Sequence, residues 1–324
     1  MDKGYRRVTS SDVARASGVS RATVSYVLNN DTRQSIPPET RERVLKAANE
    51  LGYHPFTPAR ILRAGYSRIV LVVLPFEQVD PAIARDLKEL EAKLAARGFS
   101  LIWYVGLHTM LDHTHPSANL TPAVIVSFID ESDPVIAAFL RQFNVPILSM
   151  SSATTGQAIG RAQVTYLVQH GQYRIVFAAP SRHDVQRLAQ ARLEGVRQEC
   201  AQCTLEPPFV QVVPPSRVGA REAIAHLLSQ QSPPFGVCCY NDEVAFAVIA
   251  ALSDAGIQIP ESVAVMGCDD IPLAQFSIPP LSTISFDNRH QLELLIENIL
   301  AASHGESLQE VPPPSLSVIV RASA

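Results

Sequence analysis

Residues 17–31 read SGVSRATVSYVLNND, a stretch with one arginine, one aspartate and several small hydroxyl-bearing residues at helical spacing. Arg21 carries a guanidinium fork that matches two adjacent acceptors on a guanine edge, Ala22 a methyl that fits against a thymine methyl, and Tyr26 a phenol that reaches a base or a phosphate. Ser20, Thr23, Ser25 and Asn29 are short polar groups suited to phosphate oxygens. Such a face can read a nucleic-acid duplex, with long side chains on base edges and short ones fixing the register. The bland alternative is a polar helix face in a small packing domain.

These groups need a helix to present them. Thr9 followed by Asp12 at the third position has the form of a capping box, and Val13 with Ala16 gives a first helix a short apolar face. Gly18 breaks that pattern. Ser20 can cap a second helix in which Val24, Val27 and Leu28 recur at i, i+3 and i+4, leaving Arg21, Ala22, Ser25 and Tyr26 off the buried stripe. Two short helices about a glycine turn form a helix-turn-helix. A third helix is predicted over Glu39–Leu51, with Val44, Leu45, Ala48 and Leu51 completing a three-helix core. The exposed face of the second helix is small enough to enter a major groove about 12 Å wide.

The rest of the chain bounds the reading. At 324 residues, 47% hydrophobic and 18% charged, it has material for two or three soluble domains. No apolar run approaches the roughly 18 residues of a membrane span. MDKGYRRVTSSDVA lacks the apolar segment of a secretory signal, so the cytoplasm is the expected location and the membrane no partner. Charge is uneven: residues 1–65 hold eleven Lys/Arg against six Asp/Glu, whereas residues 66–324 hold sixteen against twenty-five. A basic head on an acidic body confines the attraction for a polyanion to the part that touches it. Cys200 and Cys203 form a lone CxxC at the end of a helical pattern, and His113 and His115 lie in a polar loop; neither has the partners of a metal site, and no cofactor is expected.

Residues 8–65 resemble the lactose-repressor (LacI/GalR) family of bacterial transcription regulators almost continuously, through VTSSDVARASGVSRATVSYVLNN, PPETRERVLKAANELGYHP and PARILRAG. The resemblance implies that Arg21, Ala22 and Tyr26 read bases and that Thr9, Ser20, Thr23, Ser25, Asn29 and Thr40 contact phosphates. Tyr26 departs from the pattern, since many members have arginine there, so the bases facing it need not follow the family consensus. Pro58 suits the first turn of a helix, Ala59 to Ala64 can form barely two turns, marginal alone, and Gly65 can end it. By resemblance this is the hinge helix, with Ala59 and the wedge residue Leu62 in the minor groove, where an apolar side chain unstacks a base step.

Beyond the hinge the period changes. Apolar runs at 68–74, 100–105, 123–129, 174–179, 236–240 and 263–268 alternate with helical stretches, the pattern of parallel sheets covered on both faces. No GxGxxG, Walker loop, GxSxG or HExxH occurs in the sequence, so no enzyme is expected. The resemblance continues as a periplasmic-binding-protein-like sensor through ARLEGVRQE (191–199), YNDEVAFAVIAALSDAGIQIPESVAVMGCDDIPLA (240–274) and PPLSTI (279–284). It implies that Arg192, Asn241 and Asp269 line an effector cleft, and their fork, amide and carboxylate suit a polyol or purine-like ligand. Three stretches depart from the pattern: PFEQVDPAI after the first sensor strand, LSMSSATTG (148–156), and His170-Gly171-Gln172.

The fold class expected is an N-terminal all-α helix-turn-helix domain plus an α/β two-lobed periplasmic-binding-protein-like sensor domain. The domains would be 1–52 for DNA binding, 53–66 for the hinge and 67–324 for effector binding and dimerisation. The function expected is a homodimeric repressor of a pseudo-palindromic double-stranded DNA operator, controlled by a small sugar-like effector. With no leucine-heptad helix after SVIVRASA, a tetramer is not expected. The alternatives are a sugar-binding module without DNA-binding activity, or a regulator controlled by a protein partner.

Overall fold

The computed structural model describes residues 8–28, 34–53, 67–106, 120–128, 134–150 and 153–324. The chain forms two compact units that divide between Ser67 and Arg68. Asn29, Ala59, Leu62, His113 and His115, and with them the expected hinge helix, lie outside the described residues.

In the head, α1 (Ser10–Ser17) starts from the anticipated capping box: the Asp12 amide donates to Thr9 Oγ1, and the Thr9 amide donates to the Asp12 carboxylate at 2.9 Å. Gly18 closes α1 at φ 68°, a left-handed conformation that costs a residue without Cβ nothing, and turns the chain into α2 (Arg21–Leu28). The Thr23 amide donates to Ser20 Oγ at 3.1 Å, as a cap requires. α3 (Pro38–Glu50) opens on a proline whose missing N–H would have been unpaired in any case. Val13, Ala14, Val24, Val27, Val44, Ala47 and Ala48 form the core. Three expectations need correction. Ala16, Leu45 and Leu51 do not enter this core: Ala16 is exposed, and Leu45 and Leu51 remain 48% and 38% exposed. The buried stripe of α3 runs through Val44, Ala47 and Ala48 at i, i+3 and i+4, which rotates Leu45 outward.

The second unit has two lobes. In the first, β1 (Ile69–Leu74), β2 (Ser100–Val105), β3 (Val124–Ser127) and β4 (Ile147–Ser149) form a parallel sheet in the order β2-β1-β3-β4, with Val70 beside Leu101 and Val124. In the second, β5 (Ile175–Pro180), β6 (Phe209–Val213), β7 (Phe235–Cys239), β8 (Val263–Cys268), β9 (Ser282–Asp287) and β10 (Ser315–Ile319) take the order β10-β9-β8-β7-β5-β6. Among the described strands, only the β9–β10 pair is antiparallel. The inner strands β1, β3, β7 and β8 are buried throughout, as expected of sheets covered on both faces. β2, by contrast, lies at an edge and leaves Trp103 exposed.

The helices follow the connections: α4 (Pro81–Ala95), α5 (Pro134–Arg141), α6 (Ala153–Gln169), α7 (Gln186–Gln202), α8 (Arg217–Gln230), α9 (Asp242–Asp254) and α10 (Arg289–His304). The lobes are interlaced in sequence. After β4 the chain enters α6 on the second sheet, after β9 it returns in α10 to pack on α4 and β3, and β10 crosses back to the second sheet. One apolar cluster accordingly spans both lobes, from Leu74 and Phe76 through Leu167 and Phe177 to Leu295 and Ile299.

α6 and α7 meet backbone to backbone. A Cβ added at Gly160 would stand 2.1 Å from the Arg192 carbonyl oxygen, and one at Gly195 would stand 2.0 Å from that of Gln157. The two glycines thus set where Arg192 sits. Replacing Gly195 with Ala should force the helices apart and lower the stability of this unit by about 1–3 kcal/mol, the usual cost of overpacking. An unchanged sensor melting transition would show that the helices do not cross this closely.

Candidate functional site

On the head, Arg21 and Ala22 are exposed at the start of α2, while Thr23, Ser25 and Tyr26 are half-buried, and Val24 and Val27 face the core. The structure therefore keeps Arg21, Ala22 and Tyr26 off the buried stripe on one short helix. Ser20 and Thr23 lie 3.0 Å apart, hydroxyl to hydroxyl, at its start. Thr9 donates its hydroxyl to Asp12 at 2.7 Å, and Thr40 is half-buried in the first turn of α3.

In the sensor, both sheets place their second strand outside their first and continue on the other side. The direction in which strands are added across the sheet therefore reverses between β1 and β3 and between β5 and β7. A crevice opens beyond the carboxyl ends of parallel strands at such a reversal. The residues carried there are Asp80 after β1, Arg182 and Asp184 after β5, Tyr240 and Asn241 after β7, and Asp269 after β8.

Arg192, from α7, lies beneath this end. Its Nη1 donates to the Tyr240 carbonyl, its Nη2 stands 3.6 Å from an Asp269 carboxylate oxygen, and its guanidinium carbon lies 4.5 Å from the centre of the Tyr240 ring. Asn241 is buried, and its Oδ1 accepts from the Val244 amide at 3.0 Å, capping α9. Two of the three cleft residues expected from the sequence, Arg192 and Asp269, are thus in direct contact, and Asn241 adjoins them through Tyr240. Its carbonyl oxygen is committed to the helix.

Asp269 and Asp270 both have positive φ, 106° and 46°, a conformation residues with a side chain rarely take twice running. The turn is held from all sides. The Asp269 amide donates to the Ile284 carbonyl at 2.8 Å, and Arg321 Nη2 donates to Asp270 Oδ1 at 2.7 Å. From below, Asp242 accepts the Ile271 amide at 2.8 Å and the Thr283 hydroxyl at 2.5 Å. Gly267 makes room for this carboxylate: a Cβ there would be 2.1 Å from Asp242 Oδ1. Gln163, fully buried in α6, donates from Nε2 to the carbonyls of Cys239 at 2.9 Å and Gly267 at 3.0 Å, tying together the ends of β7 and β8.

Asp80, Gln163, Arg182, Asp184, Tyr240 and Asp242 were not among the residues expected from sequence. Charged residues at the carboxyl ends of apolar strands were the available signal for the two loop aspartates and Arg182. For Gln163 there was none, because it lies in an otherwise ordinary helix.

Burial pushes the Asp269 carboxyl up to about 6, with the Arg192 charge pulling the other way. It pushes Asp242 up to about 7, against the hydrogen bonds from Thr283 and Ile271. The five cysteines are free thiols. Burial raises Cys200, Cys238, Cys239 and Cys268 and so makes them poor nucleophiles. Among the described residues, no cluster of three His, Cys, Asp or Glu side chains is placed to hold a metal ion, and no helix is long and apolar enough to cross a membrane.

The Asp242 shift carries a definite sign. Its value in the folded protein lies above that of the unfolded chain, so between about pH 4 and about 7 the folded protein keeps a proton the unfolded chain has lost. This group's contribution to stability is full below that window and falls as pH rises through it; Asp269 acts in the same direction. Asp242→Asn stays neutral, keeps an acceptor for Ile271 and can donate to the Thr283 oxygen. Its melting temperature should therefore decline less than that of the native chain as pH rises through this window, and parallel declines would rule out a buried ionisation at Asp242.

Residues 9–55 match the model of bacterial regulatory proteins of the lacI family, and residues 164–324 match a periplasmic binding protein-like domain. The chain is 28% identical over 297 residues to the HTH-type transcriptional repressor CytR of Escherichia coli K12, covering 86% of this chain and 84% of that one. It is 26% identical over 325 residues to the transcriptional repressor PurR of Vibrio vulnificus, covering 94% and 96%. A solved structure of the lac repressor dimer, bound to operator and the anti-inducer ONPF, superposes with a TM-score of 0.80 at 24% identity, covering 98% of this chain and 99% of that one. The regulator CelR with cellobiose superposes with a TM-score of 0.68 at 23% identity, covering 98% and 100%. These likenesses extend over both units, and the solved structures share the helical head and two-lobed sensor.

Proposed function

The chain belongs to the lacI family of bacterial regulatory proteins, and from that premise we propose that it acts as a homodimer on a pseudo-palindromic DNA operator under the control of a small polar effector. It is a DNA-binding transcriptional regulator of the repressor type, as are CytR and PurR, and not an enzyme. The carrying observation is the capped, three-helix head with Arg21, Ala22 and Tyr26 off the buried stripe of α2.

In this reading residues 1–52 bind DNA, 53–66 form the hinge and 67–324 form the sensor. Arg21, Ala22 and Tyr26 contact bases. Thr9, Ser20, Thr23, Ser25, Asn29 and Thr40 contact phosphates, while Ala59 and Leu62 enter the minor groove. Two heads on one dimer read half-sites related by the same two-fold axis, and bending of the centre adds readout that depends on deformability. Pairing of two chains is supported by an apolar surface at the end of the second lobe: Leu273, Phe276 and Ile278 face outward, the last 87% exposed.

The effector reading rests on Arg192, Asn241 and Asp269, with Tyr240, at the carboxyl ends of β7 and β8. A concave site with a guanidinium, an amide and a carboxylate selects a ligand bearing several hydroxyl or amide groups. Such a ligand changes operator affinity only by binding two sensor states unequally, and a coupling of about 1–3 kcal/mol gives roughly 5- to 150-fold.

Selection of bound duplexes from random DNA tests the reading as a whole. The native chain should enrich a palindrome. Arg21→Ala should lose about 1–3 kcal/mol of discrimination at one symmetric pair of positions; an even loss across all sequences would reassign Arg21 to phosphate. Metabolites that release or tighten the selected duplex then identify the effector. Asp269→Asn should abolish the response while retaining operator affinity, and a response of native size would remove Asp269 from the cleft.

A further inference from the structure

The loops at the mouth of the cleft are joined by Arg182 and its partner Asp184. Arg182, from the loop after β5 in the second lobe, donates from Nη1 to Asp80 Oδ1 at 2.5 Å and from Nη2 to the Gln78 carbonyl at 2.8 Å, both in the first lobe. On its own loop it forms a two-pronged pair with Asp184, from Nε to Oδ1 at 3.1 Å and from Nη2 to Oδ2 at 2.7 Å. Asp184 Oδ2 in turn accepts the Glu77 amide of the first lobe at 2.8 Å. All three guanidinium nitrogens are therefore used. The two loops face each other through three cross-lobe hydrogen bonds, one with a charged group on both sides and two with a charged group on one side.

Arg182 is 22% exposed, and its carboxylate partners less than 10%. Solvent therefore screens the contact less than an ordinary surface pair, and planar paired bonds of this kind are the strong form of ion pair. Burial raises the Asp184 carboxyl, but Arg182 and the Glu77 amide outweigh it and hold the group below the ordinary carboxylate range. The contact also adjoins the cleft floor, because the Asp80 charge is felt at Arg192, Tyr240 and Asp269.

We propose that Arg182 is a latch that closes the sensor without a ligand: the protein's own groups hold the lobes together at the cleft mouth, and an effector acts on a sensor already closed, passing in and out only when the latch opens. The statement about the effector rests on the cleft reading above. The statement about closure does not.

Ligand-free closure is measurable on the full chain. Spin labels at Glu91→Cys on α4 and Glu222→Cys on α8, both exposed positions in different lobes, report the distance between lobes in a Cys203→Ser background. With no ligand and no DNA, the distribution should be single and narrow. Arg182→Gln should shift it to longer and broader distances, and Asp80→Asn should do the same from the other side. The double variant should open no further than Arg182→Gln alone, since that change already removes the bond to Asp80. Arg182→Lys, a point charge that cannot serve both carboxylates and a carbonyl together, should fall between. Asp80 caps α4 without a side-chain hydrogen bond, so its replacement leaves that helix intact and serves if Arg182→Gln fails to fold. A native distribution already broad, or one unmoved in either single variant, overturns the latch. Because no DNA is present, that result is distinct from a failure of operator binding.

Discussion

A parallel strand that ends among its neighbours leaves backbone groups with no ladder partner, and burial makes each one costly unless something supplies a hydrogen bond. At the ends of β7 and β8, Gln163 and Asp242 meet this demand. Gln163 donates to the last carbonyl of β7 and to the next-to-last of β8, while Asp242 takes an amide and a hydroxyl from the far side of the following turn. The backbone at Asp269 and Asp270 is held in a strained form because these groups, together with Arg321, leave it no alternative. Cleft geometry thus depends on two buried polar residues that need not meet the ligand. One atom, Gln163 Oε1, has no protein partner.

Burial of Asp242 explains why its environment is so closely specified. Its desolvation is offset by two directed donors and by a glycine that clears space for one oxygen. A protein that only needed stability would place an apolar side chain there. A carboxylate instead gives a fixed direction to the turn that carries Asp269.

The head was largely legible from sequence because its determinants are local: a cap and its partner three residues apart, a glycine at the turn, and valines at helical spacing. Ala16, Leu45 and Leu51 were misplaced because apolar character does not say which side of a short helix faces its neighbours. The inner sensor strands could be read from their unbroken apolar runs, five of them within a residue or two of their observed ends. Arg192 and Asp269 were legible only through resemblance. Arg182 and Asp80 were not, since the contact joins positions 102 residues apart and neither local pattern implies it.

The interlaced path of the sensor has a consequence in time. Neither lobe is assembled from one continuous stretch: α10, made after most of the second lobe, completes the first, and β10 then completes the second. During synthesis the second sheet therefore waits with the edge of β9 uncovered, and the first lobe waits for the apolar side of a helix near residue 300. The two lobes therefore complete their packing together, once the chain has been made as far as β10.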